Sequence, residues 1–285
     1  MESMPSDTLS PWWGPVDLDL NTAACWNVGP TTLWAYRTPQ DWRILYSSTG
    51  DAMQHDSSVE TPLGVDRWEE MEAQAQADTA FTLHRHTFRS TPTTLDIQPV
   101  SADRSIVVRP EHPLSIPPGE EVTLYLSLPL WIRVVAGTTA LEEVPSHRPS
   151  DTWFGPSTQE GELCYATKTA GRLRLTNLPL RPHRSVTPLR IRNDAPDSLP
   201  LERIHVPAPY LALYAADGED APTHLWTQAL TLTRDKGGVI TEVRIRTGPP
   251  RDLEDAVRIQ EPRREIKSGL VLNTFRAIEG LLGTA

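Results

Sequence analysis

The stretch EVTLYLSLPLWIRVV (residues 121–135) gives the clearest indication of the fold. Apolar, β-branched and aromatic residues dominate it, and Pro129 divides it into two short pieces. Comparable stretches occupy most of 93–247, and 18 of the 27 prolines lie in 91–222. Because proline is excluded from helix interiors and central strand positions, it marks the ends of these stretches. The pattern predicts a mainly β protein with two antiparallel β-sandwich-like units.

The other candidate strands are short and bounded by turn residues. PPGEE (117–121) and RDKGG (234–238) have good turn composition between flanking strands. The candidate strands are TTLDIQPV (93–100), RSIVVRP (104–110), ELCYATKT (162–169), RLRLTN (172–177), TPLRIRN (187–193), PYLALYA (209–215), HLWTQALTLTR (224–234) and VITEVRIRT (239–247).

The N-terminal part has a different pattern. TTLWAYRT (31–38) and DWRILYSS (41–48) predict a hairpin, followed by a polar loop over 49–65. VDRWEEMEAQAQA (65–77) predicts a short helix, with Asp66 as its N-cap and Glu69 completing a capping box. FTLHRHTF (81–88) then returns to the alternation of a strand.

The chain ends in REIKSGLVLNTFRAIEGLLG (264–283), where apolar residues recur at three- and four-residue spacings. This predicts a C-terminal amphipathic helix, covered either by the same chain or by another chain. The loss of periodicity in 146–159 predicts a connecting loop there. The N-terminal, aromatic-rich β domain would then be 1–145, and the C-terminal β domain with its helix 160–285.

Charge is unevenly distributed along the 285 residues. Residues 1–80 carry 13 acids and 3 bases, whose balance of −10 equals the net charge of the whole chain. An acidic front end argues against docking on nucleic acid or on an anionic bilayer. No apolar run approaches the roughly 18 residues of a membrane span, and the acidic start lacks the pattern of a secretory signal. We therefore expect a soluble, cytoplasmic protein with no nucleic-acid partner and no membrane insertion.

Several separated segments together resemble one prokaryotic family, the domain of unknown function 432 family. They include the opening hairpin GPTTLWAYRTPQDWRILY (29–46) and LSIPPGEEVTLYLSLPLWIRV (114–134). The others are STQEGELCYATKTAGR (157–172), TPLRIRNDAPDSLPLERIHVPAPYLALY (187–214) and PRREI (262–266). The resemblance implies a bacterial protein and carries no activity or cofactor with it.

The most distinctive candidate site is a repeated arginine alternation. RLRL (172–175), LRIR (189–192) and VRIR (243–246) each place two arginines on one strand face and apolar residues on the other. If these strands are neighbours, their guanidinium groups would hold a carboxylate, a phosphate or an acidic protein surface. The acidic residues 1–80 are one candidate occupant. The alternative is an ordinary amphipathic sheet with local partners such as Glu202 and Glu242. The arginines concerned are Arg172, Arg174, Arg190, Arg192, Arg244 and Arg246.

A second candidate is a pocket beside the loop DTWFGPSTQEGE (151–162), where aromatic residues, glycines and carboxylates occur together. The alternative is that Trp131 and Phe154 are simply core residues. The expected pocket wall comprises Trp131, Trp153, Phe154, Glu160, Glu162 and Tyr165.

His84 and His86 project from the same strand face and could ligate a metal with Asp78 or His55, although two solvated histidines are the favoured interpretation.

Cys25 and Cys164 are expected to be inert, buried thiols.

Common motifs for nucleotide binding, serine hydrolysis and zinc proteolysis do not occur in the sequence. We therefore expect a non-catalytic binding or scaffold module without a metal or other cofactor. Its expected partner is another protein or a second copy of the chain. The alternative is an enzyme that acts on a sugar or a small anionic substrate in the pocket near Trp153–Tyr165.

Overall fold

A computed structural model describes residues 11–51, 53–110, 114–155, 159–169, 171–216, 224–236 and 240–265. Within these ranges the chain is mainly β, with one α-helix, α1 (Val65–Ala77), and two 3₁₀ turns. The first twelve strands are β1 (Gly14–Asp17), β2 (Thr22–Val28), β3 (Thr31–Arg37), β4 (Asp41–Ser47), β5 (Ser57–Leu63), β6 (Thr82–Thr87), β7 (Thr94–Val100), β8 (Ile106–Pro110), β9 (Leu114–Ile116), β10 (Glu121–Pro129), β11 (Trp131–Ala136) and β12 (Thr139–Pro145).

The remaining strands complete five sheets. Their bounds are β13 (Ser150–Phe154), β14 (Glu162–Thr169), β15 (Arg184–Asn193), β16 (Leu199–Leu201), β17 (Ile204–Val206), β18 (Leu213–Ala216), β19 (Leu225–Thr227), β20 (Leu230–Arg234), β21 (Ile240–Ile245) and β22 (Ala256–Gln260). Most neighbours are antiparallel, whereas β8 with β14, β15 with β19 and β15 with β20 are parallel pairs.

The first sandwich-like unit packs the sheet β5-β2-β3-β4-β6 against the sheet β1-β7-β11-β12. Side chains that alternate inward from both sheets form one buried cluster, which includes Trp26, Trp42, Ile97 and Ile132. Because each of these strands contributes every second residue, the alternation in the sequence becomes one apolar face per sheet. The predicted hairpin is confirmed, since β3 pairs antiparallel with β4.

The helix α1 covers the other face of the five-stranded sheet. Trp68 is 1% exposed and stacks on Tyr36 of β3, with ring centroids 5.2 Å apart. Cys25 of β2 lies in the same buried cluster. The tryptophans of the N-terminal region therefore fill the two faces of one sheet.

The largest sheet of the described chain has seven strands, in the order β21-β20-β15-β19-β18-β22, with β10 also paired to β15. In the second sandwich-like unit, β10, β15 and β20 of this large sheet pack against the sheet β13-β14-β8-β17. Leu124, Ile191 and Leu232 point into this core from one side, and Ile106 and Ile204 point into it from the other. Both candidate sites described below belong to this unit.

Several local predictions are wrong. The predicted strand 209–215 begins within the 3₁₀ turn Ala208–Tyr210, and the predicted strand 224–234 is the two strands β19 and β20. The expected polar loop 49–65 contains β5, an edge strand without a fully buried residue, so its sequence lacks an apolar face. The helix 65–77 is confirmed, but Gly64 is its N-cap and no side chain caps it, so the predicted Asp66–Glu69 capping box is absent. The stretch 172–177 is not a strand, because Arg172 forms an isolated bridge with Tyr125 and a 3₁₀ turn follows at Leu175–Asn177.

The expected connection 146–159 contains β13, and strands from its two sides pair, as β10 does with β15. The division into 1–145 and 160–285 stays a prediction. The predicted C-terminal helix falls almost wholly on residues 266–285, outside the described ranges. In the described part of the chain, no helix has the length and apolar character needed to cross a bilayer.

Candidate functional site

The outer face of the large sheet carries the predicted arginines. β15 pairs with β10 on one side and with β20 on the other, and β20 pairs with β21. In this register Thr231 of β20 lies between Arg190 of β15 and Arg244 of β21. The alternate residues Leu189, Ile191 and Leu232 belong to the core beneath. We call this outward face of β10, β15, β20 and β21 the arginine face.

The arginine face is concave because side-chain length alternates across it. Threonines of β20 form a low floor between the long arginines of β15 and β21, which are about 10 Å apart at the backbone, two strand spacings. The resulting open depression has a volume of about 650 Å³. It is lined by Glu121, Arg190, Arg192, Thr231, Thr233, Arg244, Ile245, Arg246, Thr247 and Arg251.

Two of the arginines have acidic partners close by. The guanidinium of Arg190 forms an ion pair with Glu121 of β10, and Arg192 Nε donates to Asp194 Oδ1 over 2.8 Å. The hydrogen bond and charge of Asp194 raise the pKa of Arg192. The predicted partner Glu202 is not among these two acids, and the predicted partner Glu242 lies outside the described side chains. Local pairing therefore neutralises part of the arginine face.

The two arginines at the other end differ. Arg246 directly follows β21, and its backbone N–H donates to the Ala229 carbonyl oxygen over 2.9 Å, which extends the pairing with the chain of β20 by one residue. The chain then turns through Gly248, whose φ of +80° suits a residue without a side chain, and returns Arg251 to the rim. Among the described residues, neither Arg246 nor Arg251 forms an ion pair. This end of the depression therefore has positive charge that the described chain does not compensate.

The predicted arginine set is only partly assembled. Arg190, Arg192, Arg244 and Arg246 line the one depression. Arg172 and Arg174 are not on a strand of this sheet, because the chain leaves the sheet after the bridge at Arg172. Thr231, Thr233 and Arg251 were not singled out from the sequence. The alternation of LTLT (230–233) indicates that Thr231 and Thr233 share one strand face. The position of Arg251 at the rim depends on the turn through Gly248, which no strand pattern predicts.

The predicted pocket wall near Trp153–Tyr165 is divided between two faces of the strand pair β13–β14. Trp153 pairs with Leu163, and Phe154 pairs with Glu162, so Trp153 and Phe154 point in opposite directions. Trp131 and Tyr165 are buried and in contact, with ring centroids 5.3 Å apart, and Phe154 is buried too. The interpretation of Trp131 and Phe154 as core residues is therefore confirmed.

The other members of that wall are more exposed. Trp153 is 42% exposed, and Glu160 lies on the exposed turn before β14. Glu162 lies on the face opposite to Tyr165, where His205 of β17 contacts it. The structure thus brings Glu162 into contact with His205, a pairing that no local pattern in the sequence indicates.

His84 and His86 share one face of β6, as predicted. Both rings contact one carboxylate oxygen, Oε1 of Glu142, at 2.6 Å from His84 Nδ1 and 2.9 Å from His86 Nε2. The suggested third ligands lie elsewhere, since His55 contacts the Leu180 carbonyl and Asp78 accepts from the Ala80 N–H.

The described chain is thus a mainly β protein whose largest sheet carries an arginine-lined depression on its outer face. A family model described as "Protein of unknown function (DUF432)" matches residues 12–279, and the chain belongs to this family. Neither a search of the curated proteins nor a search of the solved structures gave a match.

Proposed function

We propose that this protein is a non-catalytic binding module that holds an extended acidic segment of a partner protein on the arginine face. The observation that carries the proposal is the open depression, whose described lining includes five arginines and one carboxylate. Arg246 and Arg251 add positive charge that no described carboxylate pairs with, so an incoming anion need not displace an internal partner there.

The spacing of the guanidinium groups supports an extended segment. Arg190 and Arg192 are two residues apart on β15, as are Arg244 and Arg246 along β21, which corresponds to about 7 Å. In an extended peptide, alternate side chains have this same spacing. Carboxylates at alternate positions would therefore face successive guanidinium forks, which bind carboxylates with two parallel hydrogen bonds.

The threonine floor supports the same occupant. The side chains of Thr231 and Thr233 lie below the level of the arginines, which leaves room for a chain between the two arginine rows. Hydroxyl groups both donate and accept hydrogen bonds, so the floor can contact polar groups of a peptide. Because the depression is open and not enclosed, an extended segment can enter it from the solvent side.

The test is the affinity for a fluorescent peptide with glutamates at alternate positions, measured by anisotropy at low salt. We expect the double variant Arg246→Glu/Arg251→Glu to bind at least about tenfold more weakly, because two cations that have no ion pair among the described residues become anions. The control is Arg148→Glu, a single charge reversal at an exposed arginine near β13 whose partner is Asp151. The control should bind within about twofold of the unaltered protein.

Two further ligands, an isomeric peptide and inorganic phosphate, distinguish an extended acidic segment from a compact anion. An isomeric peptide with its glutamates contiguous should bind more weakly than the alternating one. Inorganic phosphate should compete only weakly, since it engages few of the five arginines at once. Equal losses in Arg148→Glu and in the double variant would contradict the proposal, as would preferential binding of phosphate. Binding of a second copy of this chain, seen as a dimer that the double variant abolishes, would identify the acidic segment as its own.

A further inference from the structure

A second group of polar side chains lies on the sheet β13-β14-β8-β17, away from the arginine face. Glu162 and Cys164 are two residues apart on β14 and so share a face. His205 of β17 reaches them across β8, because Val107 pairs with His205 on one side and with Ala166 on the other. We call Glu162, Cys164 and His205 the thiol cluster.

The three side chains of the thiol cluster are in direct contact. Cys164 Sγ lies 3.3 Å from Glu162 Oε1, and the same oxygen accepts a hydrogen bond from His205 Nε2. One atom from each residue, a sulfur, an oxygen and a nitrogen, lies within 4.8 Å of both of the others. In the described part of the chain, this is the one such group of three histidine, cysteine or acidic residues.

The three side chains of the thiol cluster differ in their exposure to solvent. Cys164 is fully buried against Val107 and Phe154, and the His205 side chain is 1% exposed beside the Phe154 ring. The Glu162 side chain is 50% exposed. The sulfur and the imidazole nitrogen therefore lie against an apolar wall, while the carboxylate side of the group is open to solvent.

Charge in the cluster is held on the carboxylate. The hydrogen bond from His205 is the main reason that the pKa of Glu162 falls to about 2, and Ser105 and Cys164 also contribute. Burial, followed by the charge of Glu162, raises the pKa of the Cys164 thiol. Arg203 acts in the opposite direction on this thiol. The cluster thus holds an ionised carboxylate beside a protonated thiol.

We propose that the thiol cluster is a binding site for one divalent cation of the zinc type, held by Glu162 Oε1, Cys164 Sγ and His205 Nε2. Thiolate and imidazole are ligands preferred by zinc and similar transition metals, whereas calcium and magnesium prefer oxygen alone. Three protein ligands leave the fourth tetrahedral position for water on the exposed side of Glu162, an arrangement found in zinc sites that act on substrates.

Binding exchanges protons for the metal. The thiol proton leaves to solvent, and the metal–sulfur bond replaces the hydrogen bond from sulfur to Glu162. In the metal-free cluster the ring proton of His205 lies on Nε2, which donates to Glu162 Oε1. Metal binding moves this proton to Nδ1, which is buried and has no hydrogen-bond partner among the described residues, and the Nε2 lone pair then faces the cation. A thiolate, a carboxylate and a neutral imidazole balance the charge of a divalent ion.

The experiment adds cobalt(II) to protein without a histidine tag, after dialysis against a chelator under reducing conditions. Cobalt takes the place of zinc and gives a thiolate-to-metal charge-transfer band when sulfur is a ligand. We expect one equivalent of cobalt with this band, zinc in competition for the same site, and a zinc-dependent rise in the melting temperature.

Matched variants locate the metal. Cys164→Ser should abolish the charge-transfer band, whereas Cys25→Ser, at the other buried free cysteine, should keep it. His205→Gln tests the nitrogen ligand. Glu162→Gln changes the half-exposed ligand with least risk to folding and should weaken zinc binding at least about tenfold. Near-ultraviolet circular dichroism confirms that each variant is folded.

Three results would overturn the proposal. The first is the absence of a charge-transfer band in the unaltered, reduced protein. The second is a band that persists in Cys164→Ser. The third is stoichiometric cobalt bound without a sulfur signal and released by replacement of His84 and His86, which would place the ion at Glu142.

Discussion

The arginine face and the thiol cluster lie on the two outer faces of the same sandwich, yet the two sheets use those faces differently. At the arginine face of the large sheet, core and polar residues alternate along Leu189–Arg192 and Leu230–Thr233, so the arginines are exposed and the leucines beneath them are buried. On the sheet of β14, both faces are buried near the centre, and Cys164 and His205 are part of the packing. In the large sheet, the residues that stabilise the core therefore differ from those that form the binding surface. In the sheet of β14, the same residues serve both purposes.

The largest expected effect on stability is that of a substitution in the core beneath the arginine face. Leu124 of β10 is fully buried under the arginine face, and Leu124→Ala should lower the free energy of unfolding by about 2–5 kcal/mol, measured in urea. The folded variant should bind the alternating acidic peptide with unchanged affinity. The neighbouring Thr123→Ala, on the outer face, is the control and should change stability by about 0.5 kcal/mol or less. A large loss of peptide affinity in Leu124→Ala would mean that the two faces are not independent.

A smaller effect is expected at the thiol cluster, where charge contributes to stability. The pKa of Glu162 is lowered from 4.5 to about 2, so the ionised form is stabilised in the folded chain above about pH 4.5. This contribution is lost as the pH falls towards 2. Since the side chain is half-exposed, we reduce the full linkage value to about 1 kcal/mol.

Urea unfolding of Glu162→Gln and the unaltered protein, with chelator present, measures this contribution. The difference should be present at pH 7 and should disappear between about pH 4.5 and 2. A difference that does not change over this range would assign the effect to packing and not to charge.

The smallest expected effect on stability is at the arginine face. Arg246→Ala should change the free energy of unfolding by about 0.5 kcal/mol or less, because no described ion pair is lost. The same variant should weaken binding of the acidic peptide. Chemical denaturation and anisotropy on one preparation give both values. A stability loss above about 1 kcal/mol would show that Arg246 has a structural role, and the contrast between the two sheets would then fail.

Alternation along single strands explains what could be predicted. The pattern LRIR (189–192) predicted the polar and buried faces of β15, and the pattern VRIR (243–246) predicted Arg244 on the outer face of β21. The bounds of α1 followed from helix-forming residues. The same rule failed at RLRL (172–175), because alternation shows that a strand would be amphipathic but not that a pairing partner exists. It also missed β5, whose edge position requires no apolar face.

By itself, then, the sequence determined the β character of the protein, the N-terminal hairpin and helix, and which residues of the paired strands face outward, since these depend on local periodicity and chain stiffness. The tertiary structure alone decided which strands are neighbours. β20 comes between β15 and β21, which creates the threonine floor, and β8 comes between β14 and β17, which brings His205 to Glu162 over 43 positions of sequence. Such contacts depend on the register and order of strands, which the core as a whole selects and no short stretch encodes.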